Sequence, residues 1–264
     1  MVAGLALLVS APRAHALELH GKPTQGGLLK GKVEVGSKVF LDERPVNVTS
    51  DGYFLLGFGR DAPLKATLLI ERSDGKREIH PIKLEKRVYQ EQRIDGLPDK
   101  QVSPGPKELK RIQAEQVLLN AARAREDELQ YFLGEFIWPV KGRVSGVYGS
   151  RRILNGEPKR PHMGFDIAAP EGTPVIAPVD GVVSLVHPDM FYTGGTVMLH
   201  HGYGLSTMYI HLSEIFVEEG QHIKQGEKIA AVGMSGRATG PHLHWGMTLH
   251  KTFLDPALLL PEIE

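Results

Sequence analysis

The run Gly240-Pro241-His242-Leu243-His244-Trp245 constrains the fold of this chain more than any other stretch. Read as a β-strand, with its side-chain period of two, it sends both histidines to one face and Leu243 into a core. Trp245 then faces away from the histidines, which suits a packing role. Two other short pieces carry matching chemistry: His162-Met163-Gly164-Phe165-Asp166 and Tyr209-Ile210-His211-Leu212. Residues at i and i+4 share a face of a strand, so His162 and Asp166 can point the same way. Gly164 removes a side chain from the crowded middle. Thr207-Met208-Tyr209-Ile210-His211 alternates as another strand and can bring His211 to the same face.

Those residue types point to a metal. Zinc takes nitrogen and oxygen ligands where sulfur is absent, and a catalytic site keeps three protein ligands and an open position. The chain has no cysteine, which excludes a disulfide framework and thiolate sites. Either the His162/Asp166 pair or the His242/His244 pair alone would be unremarkable. Their joint occurrence counts for more, because only His15, His20 and His80 precede residue 160. The three pieces allow a His-Asp-His ligand set with two further histidines in reach of a substrate. One histidine of the His242/His244 pair would bind metal while the other stands beside the bound water.

At 264 residues, 41% hydrophobic and 23% charged, the chain reads as globular and long enough for two modest domains. Its formal net charge is zero, so nothing draws it to nucleic acid, and no nucleic-acid partner is expected. Residues 1–16 contain the apolar run Leu5-Ala6-Leu7-Leu8-Val9 and then Ala14-His15-Ala16, a small-x-small cleavage pattern. A secretory signal peptide cut after Ala16 is expected. The basic stretch that normally precedes such a run is missing, as it would be if the start lay inside a longer signal. The run is too short for a membrane span, so the chain is not expected to be transmembrane.

Residues 17–94 have the rhythm of short strands. Lys32-Val33-Glu34-Val35 and Lys38-Val39-Phe40-Leu41 alternate around Gly36-Ser37, Asp51-Gly52 and Asp74-Gly75 are hairpin-type turns, and Ala66 to Ile70 suits a buried strand. A small β-sandwich, immunoglobulin-like, is expected there, without catalytic residues. Residues 95–135 read as a linker, broken by Gly96, Pro98, Pro104, Gly105 and Pro106, and then an amphipathic helix. Leu109, Ile112, Leu119, Ala122, Leu129, Phe132 and Phe136 fall roughly on one helical face. Packing of that face on a domain is favoured over a coiled coil.

From residue 136 to 264 the texture is Gly, Pro, Val and His, and a β-rich domain is expected. Two stretches echo each other. Glu171-Gly172-Thr173-Pro174-Val175 precedes Val179-Asp180-Gly181-Val182-Val183, and Glu219-Gly220-Gln221-His222-Ile223 precedes Ile229-Ala230-Ala231-Val232-Gly233. That pattern suggests internal pseudo-symmetry.

Over about Trp138 to Pro256 the sequence resembles the lysostaphin/LytM-type zinc metallopeptidases, which cut peptidoglycan cross-links. The resemblance rests on His162-x-x-x-Asp166, on His201-Gly202-Tyr203-Gly204 leading to Tyr209-x-His211-Leu212, and on Ser235-Gly236-Arg237-Ala238-Thr239-Gly240-Pro241-His242-Leu243-His244. It implies a mainly β fold, of the duplicated hybrid motif type, with the site in an open groove. It implies one Zn2+ held by His162, Asp166 and His244, with His211 and His242 handling protons or stabilising the transition state. Some members have lost these ligands and instead activate wall amidases. This chain keeps them, so the expectation is an exported zinc endopeptidase rather than a non-catalytic wall-binding or amidase-activating module. Its substrate would be peptidoglycan peptide stems, with D,D-bonds preferred, and its location periplasmic or secreted. The N-terminal domain or helix would be free to position the enzyme on an envelope protein, or to cover the groove until released. Asn155 is one candidate to occupy the metal's open position. Arg151, Arg152, Lys159 and Arg160, just before the first ligand, are cations that could orient substrate carboxylates. His200 and His201 read as structural or rim residues, and His187, His222 and His250 as surface residues.

Overall fold

The computed structural model describes residues 17–261. The expected signal peptide lies outside the described residues. No helix among them is long and apolar enough to cross a membrane.

The chain opens with β1 (Glu18–Gly21), β2 (Leu28–Lys32), β3 (Lys38–Leu41), β4 (Arg44–Val46), β5 (Tyr53–Gly57), β6 (Lys65–Glu71) and β7 (Arg77–Lys83). These form two antiparallel sheets, ordered β1-β2-β5 and β4-β3-β6-β7. That is the order of an immunoglobulin-like sandwich whose fourth strand has moved to the second sheet. In β6, Ala66, Leu68 and Ile70 point inward and pack with Phe54 and Leu56 of the facing sheet and Ile82 of neighbouring β7. β6 is therefore buried on one face only. Asp74-Gly75 closes the β6–β7 hairpin, with Gly75 at φ 81°. The turn at Gly36 does not make a hairpin. Strand β2 already ends at Lys32, and β2 and β3 belong to different sheets, so Gly36 (φ 83°) carries the chain across the sandwich.

Next come β8 (Glu91–Ile94), the short helix α1 (Asp99–Val102) and α2 (Pro106–Arg123). Pro106 occupies the first turn of α2, where its missing N–H costs nothing. Leu119 and Ala122 pack on Leu185, Met190 and Met198 of the C-terminal sheet. Glu115 accepts the Phe191 amide at 2.9 Å, and Arg111 donates to the Asp189 carbonyl. The helix is shorter than its apolar periodicity suggests. It ends at Arg123, and Leu109 is exposed rather than packed. Phe132 lies in a separate 3-10 turn, and both Phe132 and Phe136 are buried in the C-terminal core.

The remaining strands are β9 (Arg143–Gly146), β10 (Arg151–Leu154), β11 (Glu157–Lys159), β12 (Phe165–Ala168), β13 (Pro174–Ile176), β14 (Gly181–Met190) and β15 (Gly194–His200). They continue with β16 (Leu205–Ile215), β17 (His222–Ile223), β18 (Lys228–Val232), β19 (His242–Leu249) and β20 (Thr252–Leu254). The main sheet runs β17-β14-β15-β16-β19-β12-β9, with β13, β18 and β20 pairing beside it. The fold is mainly β, as expected.

The echo between residues 171–183 and 219–233 is structural. β13 pairs with β18, and β14 pairs with β17, so each copy's short strand joins the other copy's long one. The Gly172 amide donates to the Val232 carbonyl, and the Gly220 amide donates to the Val183 carbonyl. Both glycines have φ near 85°, which an L side chain resists.

The two parts of the chain are docked firmly. Leu28 and Leu55 of the sandwich belong to the same buried cluster as Leu249 and Leu254. Arg87 pairs with buried Asp255 at 2.8 Å. β8 also leaves the sandwich and pairs in parallel with β10, forming a small β11-β10-β8 sheet at the edge of the candidate site.

Candidate metal and active site

Strand pairing brings the three sequence pieces together. β12 lies antiparallel to β19 with Asp166 opposite His244 and Ala168 opposite His242. Leu243 and Trp245 are buried on the reverse face among Tyr209, Ile167 and Phe165. Trp245 thus packs the core, edge-on to Trp138 at 6.0 Å. His162 precedes β12 in a loop fixed by two backbone bonds with residues 149 and 150. His162 Nε2 lies 3.0 Å from Asp166 Oδ1, His244 Nδ1 lies 2.7 Å from the same oxygen, and the two nitrogens are 2.9 Å apart. All three residues are buried, and their donor atoms lie within 4.8 Å of one another.

Burial opposes ionisation of Asp166, but hydrogen bonds and charge from His162 and His244 outweigh it and hold the carboxyl well below its usual range. Burial, against the pull of Asp166, lowers His244 to about 4. At neutral pH the cluster therefore offers an anionic oxygen and a neutral imidazole, which are the protonation states a metal needs. The His162 Nδ1–H donates to the Val147 carbonyl at 3.1 Å, leaving Nε2 as the donor atom. Two glycines make room. A Cβ on Gly164 would strike the His244 ring, and one on Gly146 would strike the Asp166 carboxylate. Gly146 was not picked out from the sequence, because a lone glycine in a strand carries no metal signal.

His211 and His242 stand side by side, ring centroids 4.7 Å apart, with His211 6.2 Å from His244. His211 Nδ1 bonds the Ser235 carbonyl and His242 Nδ1 the Gly240 carbonyl, each at 2.8 Å. Both rings therefore carry the proton on Nδ1 when neutral and present a bare Nε2 to the cleft. Burial, aided by the neighbouring His242 and His244, pushes His211 down to about 3. His211 also sits at φ 65°, a left-handed backbone for a non-glycine residue. Plain alternation from Thr207 and Tyr209 would have buried it in the core. The pairing of β16 shifts register here, and the kink turns His211 toward His242 instead.

The cleft holds about 280 Å³ and is walled by β9, β10, β12, the segment Arg237–His242 and the upstream strand β8. Of the four loop cations, only Arg152 lines it. Lys159 pairs with Glu157, Arg160 stacks on Phe253, and Arg151 is exposed. Asn155 does not reach the metal cluster. Its side chain bonds the Leu97 backbone at both ends, at 2.7 and 3.2 Å, and ties the upstream segment to the loop after β10.

Among the described residues, the other histidines lie outside the cluster. His187, His222 and His250 contact Asp189, Tyr131 and Glu126. His201 is fully buried between the Asp180 carbonyl and Thr207 Oγ1, both at 2.8 Å. Burial lowers it from 6.5 to about 4. Between those values the unfolded chain binds a proton the folded chain refuses, so this share of stability is complete above about pH 6.5 and falls as pH drops toward 4. The slope is ~1.4 kcal/mol per pH unit for one such group. His201→Gln, which keeps a donor for the Asp180 carbonyl, is expected to flatten urea-denaturation stability between pH 6.5 and 4.5 by that share. An unchanged slope would show that His201 protonates freely in the native state.

A β-sheet bearing a buried His-Asp-His cluster, flanked by two further imidazoles, is the arrangement expected of a metallopeptidase. Comparison with known proteins agrees. The model of Peptidase family M23 matches residues 160–256. A crystal structure from Pseudomonas aeruginosa assigned to peptidase M23 superposes with a TM-score of 0.69 at 30% identity, covering 90% of this chain and 95% of the other. The chain belongs to peptidase family M23. Among curated relatives, the peptidoglycan DD-endopeptidase ShyA of Vibrio cholerae is 42% identical over 123 residues, 45% of this chain and 28% of that protein. The DD-carboxypeptidase/endopeptidase Mpg of Neisseria meningitidis is 40% identical over 127 residues, 47% of this chain and 29% of that protein. The chain thus spans less than a third of the length of these two relatives.

Proposed function

We propose that this chain is an exported zinc endopeptidase that hydrolyses peptide cross-links of peptidoglycan, with D,D-bonds between directly linked stems as its substrate. The observation that carries this reading is the convergence of His162 Nε2, Asp166 Oδ1 and His244 Nδ1 beside two imidazoles with free Nε2 atoms. The donor set of two nitrogens and one carboxylate oxygen fits zinc at a catalytic site. When bound, zinc supplies a Lewis acid that polarises a carbonyl and acidifies water.

The protein's own groups do the rest. Because Nδ1 of His211 and of His242 is tied to a carbonyl, each neutral ring can only accept a proton at Nε2. One ring takes the proton of the attacking water. Once protonated, a ring becomes a donor, able to hold the developing oxyanion or pass the proton to the leaving amine. His211 is positioned by its backbone kink, and the Ser235 carbonyl fixes the ring's tilt. Peptide-stem specificity and an envelope location are supported by the named activities of the two relatives and by the apolar N-terminal run. The outer face of α2, where Val117 is 66% exposed, is available to an envelope protein.

The test is digestion of cross-linked peptidoglycan by residues 17–264, with and without a zinc chelator, with products read by mass. Chelator-sensitive loss of cross-links, with new D-amino-acid carboxyl ends, is the expected result. A chain that binds no zinc and releases nothing would overturn the enzyme reading in favour of a non-catalytic wall-binding module.

A further inference from the structure

We propose that Arg237 and Arg152 form a receptor for a free carboxylate of the peptide substrate, set beside His211 and His242. This rests on the peptidase reading above and adds a substrate class to it: peptides with an anionic carboxylate within reach of the scissile bond.

The charge in the cleft is unbalanced. Arg143, Arg152 and Arg237 line it, and among the described residues Asp166 is the one carboxylate along its wall. Asp166 is already committed, with Oδ1 facing His162 and His244 and Oδ2 facing Arg152. Among the described residues no carboxylate lies within ion-pair distance of Arg237. Its Nη1 donates to the Gln101 carbonyl at 3.1 Å, and its guanidinium stacks 4.3 Å from the centre of the Tyr192 ring. Arg152 is also under-used. Its Nε is buried without a partner, and its bond to Asp166 is long, at 3.3 Å. Both arginine side chains are half-buried. Both line the same cleft.

Two neighbouring, partly desolvated cations with idle donors are costly to hold unless an anion joins them. A carboxylate is the anion whose two oxygens match a guanidinium fork. The receptor is held in advance of binding. Gln101 grips the loop from both sides, accepting from Arg237 and donating from Nε2 to the Gly236 carbonyl at 3.1 Å. The segment upstream of the peptidase domain therefore fixes a specificity residue of the cleft, an arrangement that a domain beginning near residue 136 would lack.

The carboxylate could be the terminal α-carboxylate of a stem or a second carboxylate on an internal residue. The experiment uses the full chain bearing His211→Ala, so that bound peptide is not consumed, and calorimetric titration with cross-linked stem peptides in three forms. One form has all carboxylates free, one has α-carboxylates amidated, and one has internal carboxylates amidated. Amidation at one of the two positions is expected to weaken binding about 10- to 100-fold, the range of a charge-assisted bond, and so to identify the source. Adding Arg237→Gln should weaken the free-acid peptide by the same factor and abolish the preference. Arg237→Lys, which keeps charge but not the fork, should retain part of it and decides the matter should the glutamine variant fail to fold. Equal binding of all three forms would overturn the receptor, as would a preference that survives Arg237→Gln and Arg152→Gln. Hydrolysis of the same peptides by the chain with His211 intact is scored separately. Cleavage without a carboxylate preference removes this inference and leaves the peptidase, and a preference without cleavage does the reverse.

Discussion

His244→Ala is expected to empty the metal site. The His244 ring supplies one of three converging donors, and Asp166 Oδ1 is shared between it and His162 at 2.7 and 3.0 Å. Structural zinc sites bind with apparent free energies of about 10–16 kcal/mol, so one of three ligands accounts for roughly 3–5 kcal/mol, or about 150- to 5000-fold in affinity. Dialysed variant protein should then carry no zinc by elemental analysis, where the parent carries one ion per chain. The fold should survive, because the His244 side chain contacts His162 and Asp166 while Leu243 and Trp245 hold β19 in the core. His242→Ala serves as the control. Its ring is fixed by the Gly240 carbonyl and lies outside the three-residue cluster, so zinc should remain. Full zinc occupancy in His244→Ala, at parental affinity, would remove His244 from the ligand set.

What was legible in the sequence follows from where local rules survived tertiary packing. His242 and His244 could be placed on one face because β19 pairs with β12 and β16 without a register shift, with Leu243 and Trp245 fully buried behind them. The Gly172 and Gly220 echo was legible because a turn at φ near 85° admits few residues, and both copies need it. The end of α2 was not. Leu129, Phe132 and Phe136 continue a helical spacing, yet the backbone leaves the helix at Arg123, and Phe132 enters the C-terminal core through a bond to the His201 carbonyl. Burial of two phenylalanines outweighed a periodicity that only a longer helix would use. The pairing of β8 with β10 was equally hidden. A parallel partner so distant in sequence leaves no local trace, and Gln92, Ile94 and Leu97 therefore give no hint that they wall the cleft. Arg237 was in plain view within the run from Ser235 to His244, but nothing in the run says that its guanidinium has no acid to pair with among the described residues.

His211→Ala is expected to separate metal binding from turnover. Its Nε2 is outside the His162-Asp166-His244 cluster, so zinc content should stay at the parental value. Turnover of cross-linked stems should fall by about 100-fold or more, the usual contribution of a positioned acid–base group. The backbone argues that this side chain is placed for chemistry rather than packing. A non-glycine residue at φ 65° costs of order 1–3 kcal/mol and persists only where its surroundings impose it. Here the imposed kink takes an imidazole out of the Thr207–Tyr209 row and sets it 4.7 Å from His242, its Nδ1 held by Ser235. Alanine relieves none of the left-handed strain, so a stability gain cannot stand in for the lost function. His211→Gly does relieve it, and should raise the melting temperature while remaining as slow as the alanine variant. Zinc-loaded His211→Ala with near-parental turnover would leave His242 as the sole proton carrier, and the kink would then need a structural explanation.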